Sequence, residues 1–344
     1  MVKTSHADGR PGTLTPLAGR PGPGRSGRAT PAGPRLRIAL WIRRHKLAPY
    51  LLLVPSLVLI GGLVIWPTIQ IGIYSFQNVG LPQVIGTEPT LWVGFSNYTN
   101  ILHDPEFWLS LRLSVFSAVV MIPVTLLLGT LVGLLLSKLG PKMRTFVSSV
   151  IALAWATPPV TGAIVFIWLA DPGDGIIDWS LSKLPHWLGG GAHWSGFSWT
   201  NSAFPAYTLI IALVVWTSFP FIAISVLAGL RTIPSELHES ARVDGAGAWR
   251  IFWKITYPVL KPLFLVLLLL SIIWDFGVFT QVYLVIGGIG NRDEFNLGVY
   301  GYSRAFTQPP AYSIGSALAF ILTIILLIIT VGYVRSSVRQ GAIQ

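Results

Sequence analysis

Asp275 is a carboxylate between Trp274 and Phe276, inside an otherwise apolar run over residues 263–286. A carboxylate in such a run is costly in lipid. It marks either a functional group facing a bundle interior or water, or a partnered structural polar group. Gln281 and Tyr283 follow in the same run, and Phe279 stands four residues after Asp275. On one helix that spacing puts Asp275 and Phe279 on one face. Trp216 adds an aromatic from the apolar run at 207–230. Hydrogen-bonding groups beside aromatics suit a neutral sugar, and they equally suit ordinary helix packing. Asp275, Phe279, Gln281, Tyr283 and Trp216 are therefore the candidate lining of a solute path.

A second group of residues lies at 239–262, ESARVDGAGAWRIFWKITYPVLKP, a polar and basic interruption between two apolar runs. Pro234 stands where a helix can begin, and Leu237 and Ala241 recur four apart on one face. Gly245 interrupts, with Asp244 before it as a cap for a second helix. Trp249, Phe252 and Ile255 recur every three residues, and Pro258 and Pro262 close the segment. The expected form is two short amphipathic helices joined at a glycine turn. A helix laid in a partner's groove is a common recognition mode. A solvated loop poorly explains a Trp and a Phe there.

Motifs for bond-making chemistry are missing. There is no G-x-x-x-x-G-K-[ST], so the chain has no P-loop for ATP phosphates, and no H-E-x-x-H or G-x-S-x-G. Gly245-Ala246-Gly247 fails the dinucleotide pattern, because Arg250 stands where the third glycine belongs. The six histidines are scattered, and there are no cysteines, which excludes disulfides and thiolate metal sites. No catalytic residue, metal site or cofactor is expected in this chain, and an enzyme is not expected.

The elements that must position these groups are membrane spans. Of 344 residues, 52% are hydrophobic and 11% charged, against about 25% charged in soluble domains. Six stretches reach the roughly 20 apolar residues that a span needs: 51–71, 113–136, 146–169, 207–230, 263–286 and 314–334. Pro55, Pro123, Pro158, Pro159 and Pro220 interrupt several, which membrane helices tolerate when neighbours satisfy the freed carbonyls. Gly129 and Gly133 form a GxxxG in the second, either a close helix contact or ordinary glycine use. Residues 1–46 are rich in Gly, Pro and Arg and read as a disordered basic tail. Arg43, Arg44, His45 and Lys46 then abut a run too long for a signal-peptide core, so a signal-anchor first span is expected.

The net charge of +11 first suggests nucleic acid or anionic lipid. Its placement suggests topology instead. The Lys and Arg residues concentrate in the tail, between spans two and three, between spans four and five, and after span six. Even numbers of spans separate these segments, so they share one side. The positive-inside rule makes that side cytoplasmic, with both termini inside. Nucleic acid is not needed. The segments at 77–110 and 170–206 then lie outside, the latter with Asp171, Asp174 and Asp178 and four tryptophans, Trp179, Trp187, Trp194 and Trp199. These tryptophans read as an interfacial belt.

The interruption at 239–262 resembles the signature loop of the integral permease subunits of bacterial ABC importers. That loop reads E-A-A, three residues, G, nine residues, I-x-L-P. Glu239-Ser240-Ala241, Gly245, Ile255 and Pro258 match in register, with Ser240 for the first alanine and Tyr257 for the leucine. The flanks are similar to the carbohydrate branch, the maltose F-type and glycerol-phosphate A-type permeases. The matching pieces are GFSNYTNIL at 94–102, IWLADPGDGII at 167–177, VWTSFPFIAISVLAGLRTIPSELHESARVDGA at 215–246 and FTQVYLVIGGIG at 279–290. In the last piece the family tends toward T-G-G-G-P, whereas Ile286 and Ile289 stand at two of those places, so no role is carried over for it.

The resemblance covers residues 47–335 and implies an all-α membrane protein, the six-span transmembrane domain of a type I ABC importer, over residues 47–344. It implies a cytoplasmic coupling loop at 231–262 in which Glu239, Ala241, Asp244, Gly245, Ala246, Ile255 and Pro258 engage an ATPase. Glu239 would meet a basic residue there, and Gly245 would make the turn. The implied partners are a second, G-type permease, two cytoplasmic ATP-binding subunits and an extracellular sugar-binding protein. The implied cargo is a di- or oligosaccharide such as diacetylchitobiose, cellobiose or a maltose-type sugar. An ion-coupled secondary transporter would need several intramembrane carboxylates and an internal repeat; one Asp and no clear repeat are found. A membrane-embedded enzyme would need paired acids at a membrane face, and the nearest, Asp171 and Asp174, are expected outside. A glycerol-phosphate permease would need basic groups at depth, and the spans carry none.

Overall fold

A computed structural model describes residues 48–307 and 309–339. The tail expected over 1–46, with its basic cluster, lies outside the described residues. Backbone contacts divide the chain after Leu63. The described part of the first unit is helical: α1 (Ala48–Ile60) carries Pro55 inside and enters a π-helical turn, Gly61–Ile65.

The second unit is almost wholly helical. It contains α2 (Trp66–Tyr74), a short α3 (Leu81–Val84), α4 (Ser96–His103), α5 (Pro105–Lys138), α6 (Pro141–Ala156), α7 (Pro159–Leu169) and α8 (Ile176–Lys183). Then come α9 (Ala203–Leu230), α10 (Ser235–Val243), α11 (Ala248–Ile251), α12 (Tyr257–Phe276), α13 (Thr280–Val285), α14 (Leu297–Phe306) and α15 (Tyr312–Arg339). Five stretches are long and apolar enough to cross a bilayer: Leu52–Tyr74, Pro105–Lys138, Ala203–Leu230, Ala248–Val285 and Tyr312–Arg335. The expected third span is the exception. It is the pair α6 and α7, bent by 95° at Thr157 and Pro158, and gives a sixth crossing only if the pair counts as one.

Helices in lipid gain little from hiding apolar surface from one another, so close association falls to small residues that let backbones approach. α5 and α9 follow that rule. A Cβ on Gly129 would lie 2.5 Å from Ile222 Cβ, and one on Gly133 would lie 2.9 Å from the Ala223 carbonyl oxygen. The GxxxG is thus a contact face. Leu127, Leu131 and Leu135 on other faces of α5 are exposed, as lipid-facing residues should be. Gly315 on α15 meets Ala305 on α14 in the same close manner.

Polar ties fix the loops at one end of the bundle. Asn97 donates from Nδ2 to the carbonyls of Ser75 and Gln77, both at 2.9 Å, and Tyr98 Oη donates to Ser75 Oγ at 2.7 Å. The GFSNYTNIL piece thereby pins α4 to the end of α2. Asp104 caps α5 through the Glu106 N–H at 2.9 Å and accepts from Tyr300 Oη at 2.6 Å, with Arg304 at 4.0 Å. Arg292 pairs with Glu106 at 3.0 Å.

The tryptophan belt is only partly as expected. Trp199 is buried, donates to Asp178 Oδ1 at 2.7 Å, and stacks on Trp194 with ring centroids 5.6 Å apart. Those two form a small folded core within the loop, while Trp179 and Trp187 remain exposed.

Candidate functional sites

Two breaks face each other across the bundle. The first is the bend between α6 and α7. A residue before proline is pushed out of the helical region, and Thr157 lies extended at φ −67°, ψ 125°, with Pro159 opening α7. The second follows α12, which stops at Phe276; residues 277–279 interrupt and α13 starts at Thr280. Irregular backbone at membrane depth is tolerated where it is buried in protein or lines a cavity. Both breaks line one.

That cavity, of about 220 Å³, is walled by Trp155, Thr157 and Pro159 from the first break and Trp274, Asp275, Val278 and Gln281 from the second. Val214, Thr217 and Ser218 of α9 complete it. Asp275 is 4% exposed, and its Oδ2 is buried without a hydrogen-bond partner among the described residues. Phe221 braces both indoles, 5.8 Å from the Trp155 ring and 5.4 Å from the Trp274 ring. The lining combines two aromatic walls, hydroxyls, an amide and a carboxylate, with no basic side chain. Such a lining can hold a neutral polyhydroxylated solute: rings pack on the indoles and hydroxyls donate to the carboxylate.

Of the five residues expected to line a path, Asp275 and Gln281 meet in this cavity. Phe279 does not share a helix face with Asp275, because α12 ends between them. Instead it stacks on Tyr283 at 5.4 Å and packs against Tyr302 at 5.4 Å. These rings belong to an aromatic ladder continuing through Phe306 to Tyr312. Trp216 lies 5.7 Å from Phe166 and outside the cavity. A larger cavity of about 720 Å³ borders the ladder, lined by Tyr74, Phe279, Tyr302, Phe306 and Tyr312 among almost wholly apolar neighbours. It carries the hydroxyls of Tyr74, Tyr302, Tyr312 and Ser316 but no carboxylate or amide, so the smaller cavity is the candidate site with the stronger polar groups. Sequence reasoning missed Trp155, Thr157, Thr217, Ser218 and Trp274. The signal for two of them was Pro158-Pro159, which marked a break at Thr157.

The polar interruption folds as a helix–turn–helix start. Pro234 precedes α10, and α10 closes in a Schellman motif: Ala246 N–H bonds the Ala241 carbonyl at 2.9 Å, and Gly245 N–H bonds that of Arg242 at 3.0 Å. Gly245 has φ +77°, the left-handed conformation that a side chain disfavours. The spacing of Ala241, Gly245 and Ala246 is thus the spacing of a helix terminator. Asp244 sits at the C-cap of α10, not at the start of the next helix, whose N-cap is Gly247.

The second limb is also not a separate helix closed by prolines. α11 runs through a π-helical turn, Phe252–Thr256, directly into α12. Pro258 has no N–H to give, and the π turn adjusts the ladder just before it, with Tyr257 N–H reaching back to the Phe252 carbonyl. His238 Nε2 lies 3.4 Å from Thr256 Oγ1 and joins the two limbs. Glu239, Asp244, Gly245 and Pro258 are exposed, while Ala241, Ala246 and Ile255 are half-buried. Val243 is 87% exposed and Trp249 76%, with Trp253 packed edge-on to Trp249 at 5.7 Å. Exposed apolar surface of this kind makes the elbow a candidate contact site.

An all-helical bundle with five or six apolar crossings, a polar cavity at paired helix breaks and an exposed helical elbow defines a multi-pass membrane transport subunit. Residues 125–340 match the family described as binding-protein-dependent transport system inner membrane component, and the chain belongs to that family. It is 39% identical over 309 residues to the diacetylchitobiose uptake system permease protein DasB of Streptomyces coelicolor, covering 90% of this chain and 91% of that one. It is 32% identical over 284 residues to the inner membrane ABC transporter permease protein YcjO of Escherichia coli, covering 82% and 90%. Among solved structures, a bacterial ABC transporter involved in the import of the acidic polysaccharide alginate matches with a TM-score of 0.72 at 21% identity, over 88% of this chain and 99% of that one. At that identity the likeness concerns the fold.

Proposed function

We propose that the chain is one of two permease subunits of an ATP-driven, binding-protein-dependent sugar importer, and that it forms half of the path for a neutral di- or oligosaccharide. The observation that carries the substrate class is the cavity at the two helix breaks, lined by Asp275 together with Trp155 and Trp274. A carboxylate without a cationic neighbour in the lining favours hydroxyl donors over anions, which weighs against an acidic sugar or a glycerol phosphate. Diacetylchitobiose is the first candidate, since a relative at 39% identity is named for it; cellobiose and maltose-type sugars follow.

The elbow is the ATPase-coupling site in this reading. Arg231, Arg242, Arg250, Lys254 and Lys261 favour a cytoplasmic side for it, the side proposed for both termini, under the positive-inside rule. Its exposed Val243 and Trp249 supply the apolar contact, Glu239 the charge, and the Gly245 turn the shape. In this reading ATP is hydrolysed by separate subunits, and no cofactor is expected in this chain. A second permease completes the path, and an extracellular binding protein delivers the sugar. The test is ATP-dependent uptake of labelled diacetylchitobiose, cellobiose and maltose by the assembled complex in proteoliposomes. Uptake of one of them, lost in Glu239→Lys, is expected; transport of none, with glycerol phosphate carried instead, overturns the substrate class.

A further inference from the structure

Asn296 is 2% exposed and bonds in two directions. Its Oδ1 accepts from the Val299 N–H at 2.9 Å and caps α14. Its Nδ2 donates to the carbonyl of Val278. Val278 lies in the break between α12 and α13 and lines the polar cavity beside Asp275 and Gln281. Among the described residues no backbone N–H closes on that carbonyl. The adjoining Leu297 N–H donates to Ser114 Oγ on α5 at 2.8 Å, so the start of α14 is itself anchored. Further along, α14 is held by the Tyr300–Asp104 bond.

We propose that Asn296 is a positioning residue for the solute cavity: its amide fixes the break at 277–279, and with it Asp275 and Gln281, in register with α14. The role in transport rests on the sugar-importer reading; the positioning itself does not. A buried carbonyl needs a donor. At a helix break the helix cannot provide one, and a side chain fixed at another helix's N-cap is a rigid source. Capping alone would accept Asp or Ser equally well, but bonding to Val278 requires the amide.

That difference makes the test. Asn296→Asp, read at a pH high enough to ionise it, keeps the acceptor toward Val299 and sets an oxygen against the Val278 carbonyl. Hydrogen exchange is followed in the assembled complex in nanodiscs, without sugar, alongside binding of diacetylchitobiose. The expected result is exchange about tenfold faster across 277–283 in Asn296→Asp, the scale of one lost buried hydrogen bond, with 299–304 as slow as in the native protein. Sugar affinity should fall by a similar factor. Native exchange at 277–283 overturns the proposal, as does loosening confined to α14. If Asn296→Asp does not assemble, Asn296→Ser provides the same contrast, because Ser caps but is too short to reach Val278. If the native complex binds no sugar, the substrate reading fails, while the exchange result still judges the positioning role.

Discussion

Replacing Asp275 by Asn should lower sugar affinity without lowering stability. Asp275 Oδ2 is buried and unpartnered among the described residues. At a pH where Asp275 is ionised, a sugar hydroxyl donating to it contributes about 1.5–3 kcal/mol, against about 0.5–1.5 kcal/mol for a neutral acceptor. The net loss is therefore about 1–2 kcal/mol, or roughly 5- to 30-fold in Kd. A buried carboxylate with no partner costs folding energy, and an amide of the same shape removes the charge. The thermal midpoint should then hold or rise. Binding of labelled diacetylchitobiose to the assembled complex, with thermal unfolding of the same preparation, reads both. Basal ATP hydrolysis should be unchanged. An unchanged Kd would remove Asp275 from the path, and a joint fall of affinity and stability would make it a structural polar group.

Other outcomes follow from the same geometry. Glu239→Lys and Gly245→Arg should insert normally yet abolish ATP-dependent uptake, because Gly245 faces open space and a side chain at positive φ costs only about 1–2 kcal/mol; normal uptake by either sinks the coupling assignment. Gly129→Leu should reduce folded yield, since it drives a side chain into Ile222 and overpacking costs about 1–3 kcal/mol or more; a native thermal midpoint would contradict the α5–α9 contact. Glu294 is fully buried in a loop outside the spans, and burial raises its pKa, opposed by the Asn291 hydrogen bond and aided by Asp293. Its folded pKa exceeds the unfolded value of about 4.3, so its stability contribution is full below that pH and is lost as pH rises through the raised value. Glu294→Gln should flatten that slope in thermal melts, and an unaltered slope would assign the titration elsewhere.

Much of this was legible in the residues, and the exceptions have physical causes. Apolar run length located the helices, because span length is set by bilayer thickness. The elbow was legible because a helix terminator has strict local chemistry, and Gly245 carries it. Asp244 was misplaced because a left-handed Gly245 ends α10 one residue later, leaving Asp244 inside the first cap. Pro158-Pro159 announced a break but not its angle, which depends on what α7 packs against. The Asp275–Phe279 pairing failed because an i, i+4 argument assumes an unbroken helix. Thr217 and Ser218 are ordinary residues of an apolar helix, and only the meeting of three distant segments makes them a lining.

The central claim is that sugar passes through the cavity at the paired helix breaks. Photo-crosslinking with a diazirine-bearing diacetylchitobiose, in the complex turning over with ATP and binding protein, tests it most directly. Adducts on this chain should fall at Trp155, Thr157, Thr217, Ser218, Trp274 and Gln281 and disappear with excess unlabelled sugar. Competed adducts confined to the apolar cavity at Phe279, Tyr302, Phe306 and Tyr312 would contradict the account.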